Sequence, residues 1–335
     1  MVYDIKCYPT FERISTMRAI ALLYLTAMAG AGLAHAQTQE FPRKPLRMVA
    51  AEAGGGGDFA ARLIAAALSE NIGQQVIVDN RGGPIINATQ AVIKATPDGY
   101  TLLLHGGTVW TFPLLRNQAP YDAVRDFAPV TWAIKSTGVL VVHPSVTANS
   151  VRDLIAMAKT SAGQLNYASG PSGSENHLWC ELFRNMAGIN LVRILYKGAG
   201  PAINALLGGQ VQLMVATSGS SAPHIKSGKL KALAVTSAQP SALLPGLPTI
   251  ASSGLAGYEA ETIIGLLAPA GTPRSLIDRL NQESVRVLRN AGVKEKFLAA
   301  GVETVGTTPQ QFAAQLKAEV VKWRKVIKDA DIRAE

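Results

Sequence analysis

Residues 51–68 read AEAGGGGDFAARLIAAAL. An apolar run, LRMVAA, leads into four glycines, Gly54 to Gly57, and an amphipathic run follows. Strand, glycine turn and helix in that order place bare backbone at a helix start. There the first amides lack intrahelical partners and the helix dipole favours negative charge. Glycine also lets a ligand come close to the main chain. The turn reads as a seat for a small anion, with Asp58 as N-cap and Arg62, one turn on, as its ion-pair partner. A plain tight turn is the structural alternative. A dinucleotide fingerprint is another: Gly55, Gly57 and Ala60 satisfy G-x-G-x-x-A, and Asp79 ends the next strand where a ribose-binding acid would lie. A run of four glycines satisfies many patterns, however, and no catalytic His or Cys constellation follows it.

Working outward, short apolar runs alternate with helical patterns. PLRMVAA, QQVIVDN, YTLLLHG, VLVVHP, LNYAS, VRILYKG, QLMVAT and LKALAVTS read as strands. DFAARLIAAALSEN, SVRDLIAMAKT and GSENHLWCELFRNMAG read as helices between them. The alternation predicts an α/β fold with parallel or mixed sheets. The C-terminal third changes character: IIGLLAPAGTP leads into two helices. Thr272 and Pro273 predict an N-cap and first-turn proline for the first, and Thr308-Pro309-Gln310-Gln311 predicts a capping box for the second. Phe312, Leu316, Val320 or Val321, and Trp323 share one face of that helix and read as core.

At 335 residues the chain is longer than one core usually supports, which predicts two domains. An apolar fraction of 48% excludes general disorder. Aromatics at 6% and the lack of a basic stripe argue against a nucleic-acid platform. The net charge of +9 is spread along the chain, as a mildly basic surface or as a field that draws in small anions. Residues 1–36 read as a cleavable secretory signal: Arg18, the apolar run AIALLYLTAMAGAGLA, then Ala34-His35-Ala36. Met17 is an alternative start. Removal of this segment takes away Cys7 and leaves Cys180, in the helical pattern HLWCELF, as a buried structural thiol.

Several of these segments, in order, carry a resemblance. PLRMVAAEAGGGGDFAAR, IGQQVIVDNRGG, ATPDGYTLLL, APYDAVRDFAPV, LNYASGPSGSENHLWCELF, LYKGAGPAINALLGGQVQLMV, IKSGKLKALAVTS, LPGLPTI and GLLAPAGTP resemble the substrate-binding proteins of tripartite tricarboxylate transporters, the Bug or TctC-like receptors. The resemblance runs from about Phe41 to Ile332. It implies a type II periplasmic binding fold, with two α/β lobes and a ligand cleft between them. The chain would leave lobe 1 near residues 135–138 and return near 259–264. Lobe 1 would then hold residues 37–138 and 260–335, and lobe 2 residues 139–259. A periplasmic location, a membrane transporter as partner, no cofactor and no catalysis are implied with it. A monomer is expected.

In open α/β sheets, loops at the carboxyl ends of strands face the cleft. These loops nominate Ala51, Glu52, Ala53, Gly54, Gly55, Gly56, Asp58, Thr108 and Trp110 on one side. On the other they nominate Ser169, Gly170, Ser172, Gly173, Ser174, Lys197, Gly198, Ala199, Thr217 and Ser218. The resemblance adds that the first loop and the Ser169 loop pinch a carboxylate. The sequence SGPSGS is not a nucleophile elbow, because Ser174 stands where G-x-S-x-G needs glycine. His177 reads as structural, and His105, His143 and His224 show no metal-ligand spacing.

The sequence departs from the family where it reads Ala50-Ala51-Glu52-Ala53 in place of Pro-Phe-Ala-Ala, has Ile263 in place of an aromatic, and has Ala216 in place of an acid. Glu52 is then a candidate partner for an ammonium group, and Trp110 for the lost stacking face. The reading is a receptor for a small organic acid or amino acid. An exported enzyme, or a receptor serving a sensor kinase, are the alternatives.

Overall fold

The structure, a computed structural model, describes residues 41–51, 53, 54 and 56–333. Residues 1–43 and 44–335 are separate compact units. Only residues 41–43 of the first are described, and the second carries the fold. The signal segment, Cys7, Met17, Glu52 and Gly55 lie outside the described residues.

The first half of the sheet grows from β1 (Leu46–Ala50). Met48, Val49 and Ala50 are all fully buried, as a strand covered on both faces requires. It pairs in parallel with β2 (Val76–Asn80) and β3 (Thr101–His105). Helices α1 (Gly56–Ile72) and α2 (Ile86–Ile93) make the crossovers. A short helix, α3 (Thr108–Leu114), follows β3.

Next comes β4 (Phe127–Val142), sixteen residues long. The second half contains α4 (Val151–Thr160), β5 (Asn166–Ser169), α5 (Glu175–Ala187), β6 (Val192–Leu195), α6 (Ala199–Leu207), β7 (Leu213–Thr217), α7 (Ser218–Lys226) and β8 (Lys231–Val235). The chain then returns through β9 (Glu261–Pro269), α8 (Arg274–Arg289), α9 (Ala291–Ala299), β10 (Glu303–Thr304) and α10 (Pro309–Asp329). The strand order is β2-β1-β3-β9-β4-β7-β5-β6, with β8 and β10 also paired to β4.

The one long strand joins the two halves. Up to Thr137, β4 pairs antiparallel with β9; from Gly138 onward it pairs with β7 and β8. Gly138 sits where the partner changes. A Cβ there would lie 2.6 Å from the Trp179 ring and 2.8 Å from Thr236 Oγ1. Its N–H donates to Thr236 Oγ1 at 2.7 Å. Trp179, Phe183 and Tyr258 fill the space behind it, each almost wholly buried. Each such side chain contributes about 1.5–3 kcal/mol through removal from water.

The capping box at Thr308 forms with Gln311, and Pro309 takes the first helical position. Phe312, Leu316 and Trp323 are buried, and of the two valines Val320 packs against the core while Val321 is exposed. Cys180 is buried. Two expectations are corrected. Helix α8 starts with Pro273, not Thr272, at its N-cap, because the Thr272 hydroxyl turns back to donate to Pro269 O at 2.8 Å. The segment from Phe127 through Thr137, not predicted as strand, continues through Gly138 into VLVV as one element, since β9 supplies its partners up to Thr137 and β7 takes over at Gly138.

Candidate functional site

The serine loop, residues 169–174, connects β5 to α5. Parallel pairing of β5 with β6 brings Arg193 opposite Tyr167, and its guanidinium then lies under the loop. Arg193 Nε donates to Ser169 Oγ at 2.7 Å, Nη1 to Ser172 Oγ at 3.1 Å and Nη2 to Gly170 O at 2.9 Å. From the helix side, Asn176 Oδ1 accepts from Gly170 N–H at 3.3 Å and from the Ser174 hydroxyl at 2.8 Å. His177 Nδ1 accepts from Gly173 N–H at 3.2 Å. Burial, together with the positive charges of Arg193 and Arg184, pulls the His177 pKa down to about 3. The ring is neutral near pH 7 and its proton sits on Nε2. His177 is thus a loop holder, as its place in the sequence suggested.

The glycine loop is built with the opposite charge. Asp58 Oδ2 accepts from Gly54 N–H at 2.9 Å. Its Oδ1 accepts from Asn80 Nδ2 at 2.9 Å and meets Arg62 Nε at 2.9 Å. The Gly54 amide, then Asn80 and Arg62, hold the Asp58 carboxyl down at about 2. Helix α1 begins at Gly56, so Asp58 sits in the first turn and reaches back; the expectation of an N-cap at Asp58 is corrected accordingly. Asn80 Nδ2 also donates to Ala51 O at 2.8 Å, which fixes the end of β1. Asp79 is engaged by Arg47 at 2.8 Å and Arg81 at 3.1 Å.

A cleft of about 410 Å³ opens between the halves of the sheet. Ala51, Arg81, Ile85, His105, Thr108, Phe112 and Leu115 line it from one side, and Pro171, Ser172, Gly173 and Ser174 from the other. His105 Nδ1 accepts from Gly106 N–H at 2.9 Å and lies 3.3 Å from the Thr108 hydroxyl. Burial pulls its pKa down to about 4, so Nε2 carries the proton as a neutral donor at the cleft wall. Gly173 has φ +78°, and a Cβ there would lie 2.3 Å from Leu115 Cδ1. Only glycine lets the serine loop close against α3. A second compartment, about 270 Å³, is lined by Gly56, Gly57, Phe59, Ser136, Glu175, Thr217 and Thr262, among others.

Of the nominated residues, Ala51, Thr108, Ser172, Gly173 and Ser174 meet at the cleft. Gly56 and Thr217 line the second compartment. Glu52 and Gly55 lie outside the described residues, and the structure places the remaining ones elsewhere. Asp58 is spent on its own loop. Ser169 is wholly buried under the serine loop, and Gly170 is tied to Asn176 and Arg193. Trp110 is a helical residue, not a loop residue; it is 1% exposed and cannot offer a stacking face. Ser218 is buried, 3.1 Å from the Ser136 hydroxyl and donating to Gly301 O at 3.2 Å. Ala53, Gly54, Lys197, Gly198 and Ala199 border neither cavity.

Sequence reasoning missed Arg81, Phe112, Glu175 and the supporting Arg193, and it passed over His105. The retrievable signal for Arg193 is the alternation in VRIL, which puts one arginine on the strand face next to LNYAS.

Comparison with known proteins places this geometry in context. A sequence profile described as "Tripartite tricarboxylate transporter family receptor" matches residues 60–332. A protein from Pseudomonas sp. (strain P51), described as a UPF0065 protein in the tcbD-tcbE intergenic region, is 34% identical and covers 99% of each chain. Among solved structures, R. palustris Rpa4515 with adipate is 34% identical, with a TM-score of 0.73 over 88% of this chain and 100% of that one. The periplasmic binding protein BugD is 32% identical, with a TM-score of 0.71 over the same shares. The mixed α/β fold, its halves joined through β4 and β9, is that of these periplasmic binding proteins.

Proposed function

Because the chain belongs to the tripartite tricarboxylate transporter receptor family, it is a solute-binding receptor, and we propose that it captures a small carboxylate-bearing solute in the 410 Å³ cleft. The observation that carries this reading is the serine loop over Arg193. Arg193 donates three hydrogen bonds to the loop's oxygens, so those acceptors are already occupied where the loop meets the cleft. Across the cleft, the His105 Nε2–H and the guanidinium of Arg81, which is paired with Asp79, supply further donors. Charge-assisted hydrogen bonds from such donors contribute about 1.5–3 kcal/mol each. A few of them, offset by the cost of association, suit micromolar affinity. Phe112, Leu115, Ile85 and Pro171 give the cleft an apolar wall for the solute's carbon skeleton. The related Rpa4515, whose structure contains adipate, supports the same ligand chemistry.

The lobes of this receptor are residues 37–138 together with 260–335, and residues 139–259. They close about β4 and β9, with Gly173 against Leu115 as the closing contact. The chain is exported by residues 1–36, acts in the periplasm, works without catalysis and hands its solute to a membrane transporter. A thermal-shift and calorimetric panel of small mono- and dicarboxylic acids tests the reading. Ligand at 100 times its Kd adds about 2.7 kcal/mol to stability, so a clear rise in melting temperature with at least one acid is expected. Failure of every acid, with binding of uncharged solutes instead, would overturn it.

A further inference from the structure

Among the described residues, Glu175 stands apart from four other buried or half-buried glutamates. Glu181 is paired with Arg184 at 2.7 Å, Glu261 with Lys135 at 3.1 Å, Glu283 with both Arg279 and Arg286 at 3.2 Å, and Glu319 with Lys322. Glu175 has no cation among the described residues. Among the described residues its one hydrogen-bond partner is Thr262, whose hydroxyl donates to Oε2 at 2.6 Å. Burial, and the nearby charge of Glu319, hold its carboxyl above the usual range. A half-buried carboxylate with a single neutral donor is incompletely compensated, and an incoming cation relieves it.

The place of Glu175 gives that cation a source. It lines the 270 Å³ compartment, and it follows directly on Ser174, which lines the carboxylate cleft. The two spaces are thus lined by consecutive residues at the start of α5. The rest of the compartment suits a carbon skeleton: Phe59, Ile264 and Phe297 form its walls, and the lysine in its lining, Lys135, is already paired with Glu261.

We propose that Glu175 is the specificity-determining residue of the site and that the solute carries a cationic nitrogen as well as its carboxylate, as an amino acid does. This rests on the carboxylate reading above. The carboxylate lies at the serine loop and the nitrogen at Glu175. Thr262 positions the Glu175 carboxylate from the β9 strand and takes no part in charge recognition.

The test uses pairs of probes that differ only in an amino group: succinate and aspartate, glutarate and glutamate, 3-phenylpropanoate and phenylalanine. Each is titrated calorimetrically into the purified chain at pH 7, and into the Glu175→Gln and Thr262→Val variants. In at least one pair the amino member binds wild type tenfold or more tightly than its partner. Glu175→Gln brings that pair within about threefold while keeping the affinity of the nitrogen-free acid. Thr262→Val keeps the preference. Equal affinity within every pair, or tighter binding of the nitrogen-free member, would overturn the proposal even if both variants failed to fold. So would a preference that survives Glu175→Gln. Absence of binding by any of the six probes removes the carboxylate reading itself, and the proposal falls with it.

Discussion

The glycine loop and the serine loop are built on one plan. Each follows a parallel strand, β1 or β5, and each opens a helix, α1 or α5. They differ in the charge that holds them. An acid, Asp58, holds the glycine loop by taking up the Gly54 amide. A guanidinium, Arg193, holds the serine loop by filling its oxygens. From composition alone, four bare glycines look like the better anion seat. The physics favours the other loop. A permanently ionised carboxylate in the first turn opposes a second negative charge there, while the serine loop has its oxygens taken up by a half-buried guanidinium.

Loss of Arg193 breaks this comparison most severely. Arg193→Ala leaves buried oxygens without their donors, at a cost of about 2–4 kcal/mol in unfolding free energy. Acid affinity falls by about a hundredfold in calorimetry. Next in size is Gly173→Ala. Its Cβ collides with Leu115 Cδ1 and strains a positive φ, so solute binding weakens by about tenfold, and adding Leu115→Ala restores part of the loss. The melting temperature falls as well, because the strain at a positive φ is carried by the folded chain with or without solute.

A pH titration sharpens the account of the serine loop. The folded-state pKa of His177 is about 3 against an ordinary 6.5. The unfolded chain therefore binds more protons than the folded one between those values. Stability from this residue is complete above about pH 6.5 and declines as pH falls towards 3. Protonation also removes the acceptor for the Gly173 amide. Denaturant unfolding at pH 7 and pH 4.5 should show that decline, and His177→Asn should reduce it.

The smallest effect belongs to Asp58→Asn. The Asp58 carboxyl titrates at about 2 instead of 3.8. Its contribution is present above about pH 3.8 and is lost as pH falls through 2. The variant should melt slightly lower at neutral pH, lose less on acidification, and bind acids no worse than wild type. A large loss of acid affinity in Asp58→Asn would place the anion at the glycine loop instead.

Much of this was legible from residue patterns, and the gaps have physical causes. The strands β1, β2, β3, β5, β6, β7 and β8 announce themselves as apolar runs, because each is bounded by polar or glycine residues. The long β4 does not. Its middle, Lys135-Ser136-Thr137-Gly138, is polar, and it is a strand because β9 on one side and β7 and β8 on the other supply hydrogen-bond partners in turn. The two loops were legible as loops. Their polarity was not, since Arg193 reaches Ser169 only through the register of β5 and β6. Trp110 misled for a related reason: it follows a glycine pair, yet α3 turns its ring into the core. Glu175 was hidden in plain view as the residue after Ser174. Its lack of a cation is a tertiary fact.

The most direct test of the central claim is a crystal structure of the chain with the tightest-binding acid of the panel. The account predicts one carboxylate within 3.2 Å of donors in the 171–174 segment, with His105 or Arg81 facing it across the cleft. A carboxylate seated at the glycine loop with the serine loop unoccupied, or bound outside the cleft, would contradict it.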